Sequence, residues 1–292
     1  MNIITDNLYG KFSVSPLIHE LINSRPFQRL KGIHQGGGIF LVNPKLTLTR
    51  HEHSIGVMLL IKLLGGTETE QAAGLLHDIS HTAFSHVIDY VFEHAGEDYH
   101  EEIFQRILNN SEIPEILSKH GYRLSHLTAQ NFNILEQPLP NLCADRIDYA
   151  LRDLFYAGFI TKEEVKNFIS AISIHEGRIM VSSIAQAQWF KSKFEILNKD
   201  YFAKKEHLYA NEKLTEIIKH LLNENVITPT DFETDDAQLL KQIENTVAGK
   251  QRIEEIKKFK DFEAYTPGFS LKNRIVDPEL YISGVYSRLS QV

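Results

Sequence analysis

Residues 77–86 read His77-Asp78-Ile79-Ser80-His81-Thr82-Ala83-Phe84-Ser85-His86, so that three histidines and one aspartate lie within ten residues. A second stretch of this kind, Arg50-His51-Glu52-His53, comes shortly before it. Neutral imidazole and carboxylate groups are metal ligands, and an imidazole that binds no metal can move a proton. The clustering therefore indicates a hydrolytic metal centre, and with it an enzyme.

Composition is typical of a soluble globular protein, because 42% of the 292 residues are hydrophobic and 24% are charged. The longest apolar run, Ile55 to Leu64, contains Lys62 and is too short to span a bilayer. The N-terminal residues do not follow the pattern of a secretory signal. The single cysteine, Cys143, excludes an internal disulfide and suits a reducing compartment. We expect a cytoplasmic protein with no membrane partner.

The formal net charge is −7. Binding to nucleic acid draws most of its affinity from a basic surface, so this charge makes nucleic acid an unfavourable partner. A small anionic substrate is compatible with it, because a divalent metal ion and a few cations can make the potential positive inside one pocket.

Apolar periodicity predicts a mainly α-helical fold with a small β-hairpin and a C-terminal extension. We expect residues 1–185 to form the core and residues 186–292 to form a helical extension packed on it, as one compact unit. The main elements expected are helices at His53–Leu64, Thr69–His77 and Asn141–Phe155, a hairpin at Ile172–Ser183, a long helical stretch at Gln186–Leu222 broken near Leu208, and an extended tail from Phe269 with a strand at Arg274–Val276.

His77 and Asp78 lie at the expected end of one helix, and His53 lies near the start of the preceding helix. If the two helices pack side by side, these three side chains can meet at one ion. Asp145 is the best candidate for a fourth ligand because it follows an apolar segment, and a buried carboxylate is costly unless it is paired or bound to metal. Taken singly, each histidine is better explained as a core residue, and a helical scaffold without metal is the simplest alternative.

Three motifs resemble those of the HD-domain phosphohydrolases, above all the branch that contains the deoxynucleoside triphosphate triphosphohydrolases. They are Arg50-x-Glu52-His53-Ser54, His77-Asp78-x-x-His81-x-x-Phe84-Ser85-His86 and Asp145-Arg146-x-Asp148-Tyr149-x-x-Arg152-Asp153. The resemblance runs from about Asp6 to Asp153, with a weaker similarity around Tyr209. It implies an HD-domain helical bundle.

The resemblance also implies a single divalent metal ion with four ligands, namely His53, His77, Asp78 and Asp145. Mixed nitrogen and oxygen ligands suit manganese, iron, zinc or magnesium, and nickel or cobalt in vitro. The catalytic group implied by the family comprises His86 as proton donor, Asp89 orienting it, and His81 and His100 lining the pocket. The implied substrate contacts are Arg50 on a phosphate, Gln35 on the sugar, Arg146, Tyr149 and Asp153 on phosphates, sugar or base, and Tyr209.

The chemistry of His86 and Asp89 agrees with these roles. Residues three apart share one helical face, so Asp89 can fix the tautomer of His86. Without the resemblance the same pair is equally consistent with a helix cap, and His100 is better explained as a solvated helix residue. Gln35 and the glycines after it would be an ordinary turn.

The chain departs from the family at one substrate position. Relatives that hold a triphosphate tend to carry an arginine about two turns before the tyrosine, and that position here falls near Tyr201, with Lys204 and Lys205 as the nearest cations. The substrate is therefore expected to be a small phosphorylated molecule, most simply a deoxynucleoside triphosphate. A nucleoside monophosphate, another small phosphoester, a non-catalytic nucleotide sensor and a homo-oligomeric assembly stay open.

Overall fold

A computed structural model describes residues 2–94, 96–128, 132–268, 272 and 274–292. These residues form fourteen α-helices: α1 Pro16–Ile22, α2 Arg25–Arg29, α3 Arg50–Leu63, α4 Glu68–Leu76, α5 Val87–Phe92, α6 Tyr99–Asn109, α7 Ile113–Lys119, α8 Ser125–Thr128, α9 Ala144–Tyr156, α10 Lys162–Ser170, α11 Ile184–Ile196, α12 Lys205–Asn223, α13 Asp236–Glu244 and α14 Val247–Lys258. The strands are β1 Asn2–Asp6, β2 Gly10–Val14, β3 Ile172–His175, β4 Arg178–Val181, β5 Glu279–Ile282 and β6 Val285–Arg288. The prediction of a mainly α-helical fold is confirmed.

A capping box fixes the start of helix α3. The Thr49 side chain accepts a hydrogen bond from the Glu52 backbone N–H, and the Glu52 carboxylate accepts one from the Thr49 N–H. This capping box satisfies two free backbone donors and fixes the first turn. Close packing of α3 on α4 depends on Gly74, where an added Cβ would lie 2.4 Å from Ile61 Cδ1.

Two hydrophobic cores hold the helices together, and both include residues from beyond position 185. Phe190 and Phe194 on α11 belong to the first core, which α3, α4 and α9 also build. The second core joins Phe84 to α5, α12, α13 and α14, with Tyr209 and Phe232 among its members. The segment from 77 to 86 lies where the two cores meet, because Ile79 belongs to the first and Phe84 to the second.

The long helical stretch after residue 184 is interrupted earlier than predicted. Helix α11 continues into a π-helix at Leu197–Phe202, and α12 starts at Lys205. The break therefore falls at Ala203 and Lys204, not near Leu208.

The structure contains more β-sheet than the sequence predicts. Strands β3 and β4 form the expected hairpin, with Ile172 opposite Val181, but β5 and β6 extend it to a four-stranded sheet. The predicted strand at 274–276 is wrong, since the chain there is irregular and the strand begins at Glu279. Phe269, where the extended tail was predicted to start, lies outside the described residues. The N-terminal hairpin of β1 and β2 was not predicted.

None of the helices in the described ranges combines the length and the apolar character that crossing a membrane requires.

Candidate active site

Four side chains from three helices converge at one point. His53 lies in the first turn of α3, His77 caps the end of α4, Asp78 follows it, and Asp145 lies in the first turn of α9. His53 Nε2 lies 3.0 Å from Asp145 Oδ1 and 3.7 Å from Asp78 Oδ2. His77 Nε2 lies 3.4 Å from Asp78 Oδ1 and 3.5 Å from Asp145 Oδ1. The structure thus brings together all four predicted ligands.

Hydrogen bonds on the far side of each imidazole orient the two histidines. His53 Nδ1–H donates to Asp148 Oδ2 at 2.9 Å, and His77 Nδ1–H donates to the Gly74 carbonyl at 2.8 Å. In both rings Nε2 is left to face the shared centre, and His77 Nε2 is buried with no hydrogen-bond partner among the described residues. Partners of this kind fix the tautomer of metal-binding histidines.

The histidines and carboxylates of this cluster shift one another's pKa values. Burial raises the pKa of Asp145, but hydrogen bonds from His53 and His77 outweigh burial and hold it well below its usual range. Burial lowers the pKa of His53, but its hydrogen bonds with Asp145 and Asp148 raise it to about 10. The carboxylates therefore stay ionised and attract positive charge into a buried place.

The donor set fits a divalent metal ion. Donor atoms of His53, His77 and Asp78 all lie within 4.8 Å of one another, and Asp145 joins them through the two histidines. Ligands at about 2.0–2.2 Å from one ion would be separated by distances of this order. Two imidazoles and two carboxylates suit several transition metals and do not choose among them.

Arg50 is hydrogen-bonded to this cluster through Asp78. Its Nη1 donates to Asp78 Oδ2 at 2.8 Å, and its Nε donates to Ser85 Oγ at 3.0 Å. Although burial raises the pKa of Asp78, the charges of Arg50, His77 and His81 lower it well below the ordinary value. Arg50 is held beside the metal ligands, where a phosphate oxygen would need a positive partner.

A cavity of about 360 Å³ opens beside the cluster. Eight of the side chains predicted to bind or convert the substrate line it, namely Gln35, Arg50, His81, His86, His100, Arg146, Tyr149 and Asp153. Asp89 lies behind His86. Further lining residues were not singled out from the sequence, among them His207, Asn211, Lys272 and Arg274.

Tyr209 is the one predicted substrate contact that the structure does not bring to the described lining of the cavity. Its ring stacks on Phe259 at 4.1 Å and meets Phe262 and Tyr265 edge-on, inside the second core. It is not among the described residues that line the cavity. The aromatic residues that α14 and the following segment bring to α12 cover this tyrosine, and they are too distant in sequence to be foreseen.

His86 and Asp89 form the expected pair. His86 Nδ1–H donates to Asp89 Oδ2 at 3.0 Å, and Asp89 Oδ1 accepts the Tyr99 N–H at 2.9 Å. The His86 side chain is 35% exposed, whereas that of Asp89 is buried. A fixed carboxylate thus holds an accessible imidazole at the pocket wall, as a proton donor requires.

His81 and His100 stack on each other, with ring centroids 3.8 Å apart. Burial lowers the pKa of both, with the charges of Arg50 on His81 and of His86 on His100 adding to the effect, and the pKa of His100 falls to about 3. Both rings are therefore neutral near pH 7. They can accept or donate one hydrogen bond each but are poor proton donors for catalysis.

Asp153 and Gln35 each have one buried side-chain oxygen without a hydrogen-bond partner among the described residues. Burial raises the pKa of Asp153 to about 7, and its Oδ1 has no hydrogen-bond partner among the described residues. Gln35 Oε1 is likewise buried and unpaired within the described chain. Such groups are costly to bury without a ligand.

Lys204 and Lys205, the cations nearest in sequence to Tyr201, do not replace the missing arginine. Lys204 pairs with Glu206, and Lys205 donates to the Glu263 carbonyl. Neither belongs to the described lining of the cavity.

Comparison with known proteins places these observations in a family context. The HD domain family matches residues 50–153. Uncharacterized protein YdhJ of Bacillus subtilis is 43% identical over 99% of this chain and 91% of its own length. Metal-dependent phosphohydrolase cns2 of Cordyceps militaris is 34% identical over 86% of this chain and 75% of its own length.

Two further similarities are more distant. Deoxynucleoside triphosphate triphosphohydrolase SAMHD1 of Danio rerio is 33% identical over 42% of this chain and 24% of its own length. The crystal structure of a hypothetical protein from Aquifex aeolicus has a TM-score of 0.70 at 25% identity, covering 87% of this chain and 74% of that one. The four converging residues all lie within the stretch that the HD domain matches.

Proposed function

This chain belongs to the HD-domain metal-dependent phosphohydrolases, and from that premise we propose that it hydrolyses a deoxynucleoside triphosphate with His86 as general acid. The observation that carries the proposal is the position of His86, with Asp89 hydrogen-bonded behind it, in the wall of the cavity that His77, Asp78 and Asp145 also line. The name of the SAMHD1 relative specifies hydrolysis of deoxynucleoside triphosphates, and this relative matches less than half of this chain.

The proposed reaction replaces the bond between the α-phosphorus and the 5′-oxygen with a bond to the oxygen of water. A water molecule attacks the α-phosphorus, the bond from that phosphorus to the 5′-oxygen breaks, and His86 gives a proton to the leaving oxygen. The attacking water loses its proton to solvent, so the products are a deoxynucleoside and tripolyphosphate. A divalent ion held by His53, His77, Asp78 and Asp145 would neutralise phosphate charge and lower the pKa of a water molecule.

Residues of the chain supply the rest. Arg50 offers donors to a phosphate oxygen next to the metal ligands, and Asp89 keeps the His86 ring in one tautomer. Gln35 and Asp153, with unpaired buried oxygens, offer acceptors, and Asp153 near its pKa also offers a donor, to sugar hydroxyls. These contacts account for the substrate orientation that an in-line displacement requires.

A phosphomonoesterase is the second candidate, and Tyr201 is the observation that favours it. Tyr201 lies in the cavity wall, near the position where triphosphate-binding relatives tend to carry an arginine, and the charge of Asp153 acts on its hydroxyl. An uncharged residue at this one position suits a substrate with a single phosphate.

Product analysis separates the candidates. The purified protein, supplied in turn with Mn²⁺, Fe²⁺, Zn²⁺ and Mg²⁺, is given a deoxynucleoside triphosphate and the matching monophosphate. Tripolyphosphate as product supports the proposal, whereas orthophosphate alone contradicts it and supports the monoesterase. The variants His77→Ala and Asp78→Ala should be inactive, and full activity in either would overturn the metal assignment. Nucleotide binding without turnover by the wild type would indicate a sensor.

A further inference from the structure

Arg274 reaches the cavity from the C-terminal segment and contacts the π-helix at Leu197–Phe202. Its backbone carbonyl accepts a hydrogen bond from Asn198 Nδ2 at 2.9 Å, which anchors it to the π-helix. Its guanidinium lies 5.4 Å from the centre of the Phe202 ring. Arg274 is thereby brought to the π-helix that carries Tyr201, by a segment more than seventy residues later in the chain.

The guanidinium of Arg274 keeps donors for a ligand. One Nη forms an ion pair with Glu97, whose carboxylate also accepts the Tyr90 hydroxyl. A guanidinium has five N–H donors, so the Glu97 contact uses only part of them. Glu97 holds the cation at the cavity wall, where both residues are lining groups.

A second guanidinium, that of Arg146, lines the same cavity. Arg146 directs its two Nη groups to the carbonyls of Asn141 and Gln137, while its Nε is buried with no partner among the described residues. Burial raises the pKa of Tyr149, and the charges of both Arg146 and Arg274 oppose that rise. Arg146, Tyr149 and Arg274 all line the same cavity.

We propose that Arg274 binds the distal phosphates of a triphosphate, beside Arg146, whose contact with the substrate the family resemblance already implies. Arg50 and the metal ligands account for the phosphate that reacts, but the remaining phosphates carry most of the negative charge and need cations of their own. A guanidinium contacts two phosphate oxygens at once, which gives strength and direction. Lys272, whose Nζ donates to the Gly96 carbonyl at 2.7 Å, adds positive charge at the same rim.

This inference rests on the proposed function only for the identity of the substrate, and a binding measurement tests it separately. Affinities of the metal-loaded protein for inorganic tripolyphosphate and for orthophosphate are measured by calorimetry in the wild type, Arg274→Gln and Arg274→Lys. The matched control is Arg252→Gln, an exposed arginine on α14.

We expect Arg274→Gln to weaken tripolyphosphate binding roughly 10- to 100-fold, the range for a lost hydrogen bond to a charged group. Orthophosphate binding should stay within about twofold, Arg274→Lys should fall between, and Arg252→Gln should match the wild type. If leaving Glu97 unpaired unfolds the protein, the double variant Glu97→Gln/Arg274→Gln replaces the single one. Unchanged tripolyphosphate affinity in the folded Arg274 variant overturns the inference. If tripolyphosphate binds through Arg274 but the wild type hydrolyses no deoxynucleoside triphosphate, the proposed function is wrong and this inference still holds.

Discussion

Asp148 supports His53 from behind, accepting the His53 Nδ1–H at 2.9 Å with both side chains fully buried. The same carboxylate receives two hydrogen bonds from Arg152, and Arg152 donates a third to Asp6 at the end of β1. A continuous buried network therefore connects the N-terminal hairpin to the metal ligands. Its oxygen and nitrogen atoms are paired, which is the condition for burying charges.

Asp148→Asn should loosen the metal site. The amide removes the negative charge that fixes His53, and loss of such a partner typically weakens metal binding about 10- to 100-fold. Calorimetric titration with Mn²⁺ measures the change, with the exposed Asp261→Asn as control. Wild-type affinity in Asp148→Asn would show that the carboxylate does not support the ligand.

Arg152→Met should destabilise the whole fold. The substitution leaves Asp148 and Asp6 as buried carboxylates without their cation, and breaking a buried ion pair costs about 3–5 kcal/mol. Urea denaturation reports the free energy of unfolding, and Arg25→Met, whose side chain is 93% exposed, is the control. A loss below about 1 kcal/mol, the value for a surface pair, would argue that the network carries no stability.

Much of the metal centre could be predicted because its information is local. His77 and Asp78 are adjacent, His53 starts the preceding helix, and Asp145 follows an apolar segment, so helix packing alone suffices to bring them together. The role of Asp148 was missed, although it belongs to a quoted motif. Which face of α9 meets His53 depends on tertiary packing.

Two features of the cavity could not be predicted in the same way, namely the position of Tyr209 outside its lining and that of Arg274 within it. The weaker family similarity around Tyr209 led us to expect a substrate contact, but Phe259 and its neighbours cover this residue in the second core. Arg274 was expected in a strand, yet an irregular segment brings it to the cavity. In both cases the decisive contact joins segments separated by tens of residues, and neither periodicity nor motif spacing records such contacts.

His86→Ala should lower kcat about 10²- to 10⁴-fold, the usual range for a lost general acid. Mn²⁺ and tripolyphosphate affinities should change little, because His86 is not one of the four ligands. The exposed His19→Ala controls for a nonspecific effect of removing a histidine. Equal kcat in His86→Ala and the wild type would remove His86 from the proposed chemistry.

Asp153→Asn should change how stability depends on pH. The pKa of Asp153 is about 7 in the folded protein, against about 3.9 for an unperturbed aspartate, so the wild type loses stability as the pH rises from about 4 to about 7. Asparagine does not titrate and avoids that loss. The variant should therefore gain on the wild type between pH 4 and pH 8, by a few kcal/mol at about 1.36 kcal/mol per pKa unit.

Urea unfolding of both proteins at pH 5 and at pH 8 checks this expectation. The exposed Asp200→Asn should show the same difference from the wild type at both values. If the difference for Asp153→Asn is also the same at both values, the buried acid does not titrate in this window.

Hydrolysis of a deoxynucleoside triphosphate in ¹⁸O-labelled water is the most direct test of metal-dependent attack at the α-phosphorus. We predict one ¹⁸O atom in the tripolyphosphate product and none in the deoxynucleoside. The variant His77→Ala should form no labelled product, because it should not hydrolyse the substrate. Label in orthophosphate, in a nucleoside monophosphate or in the deoxynucleoside would contradict the account.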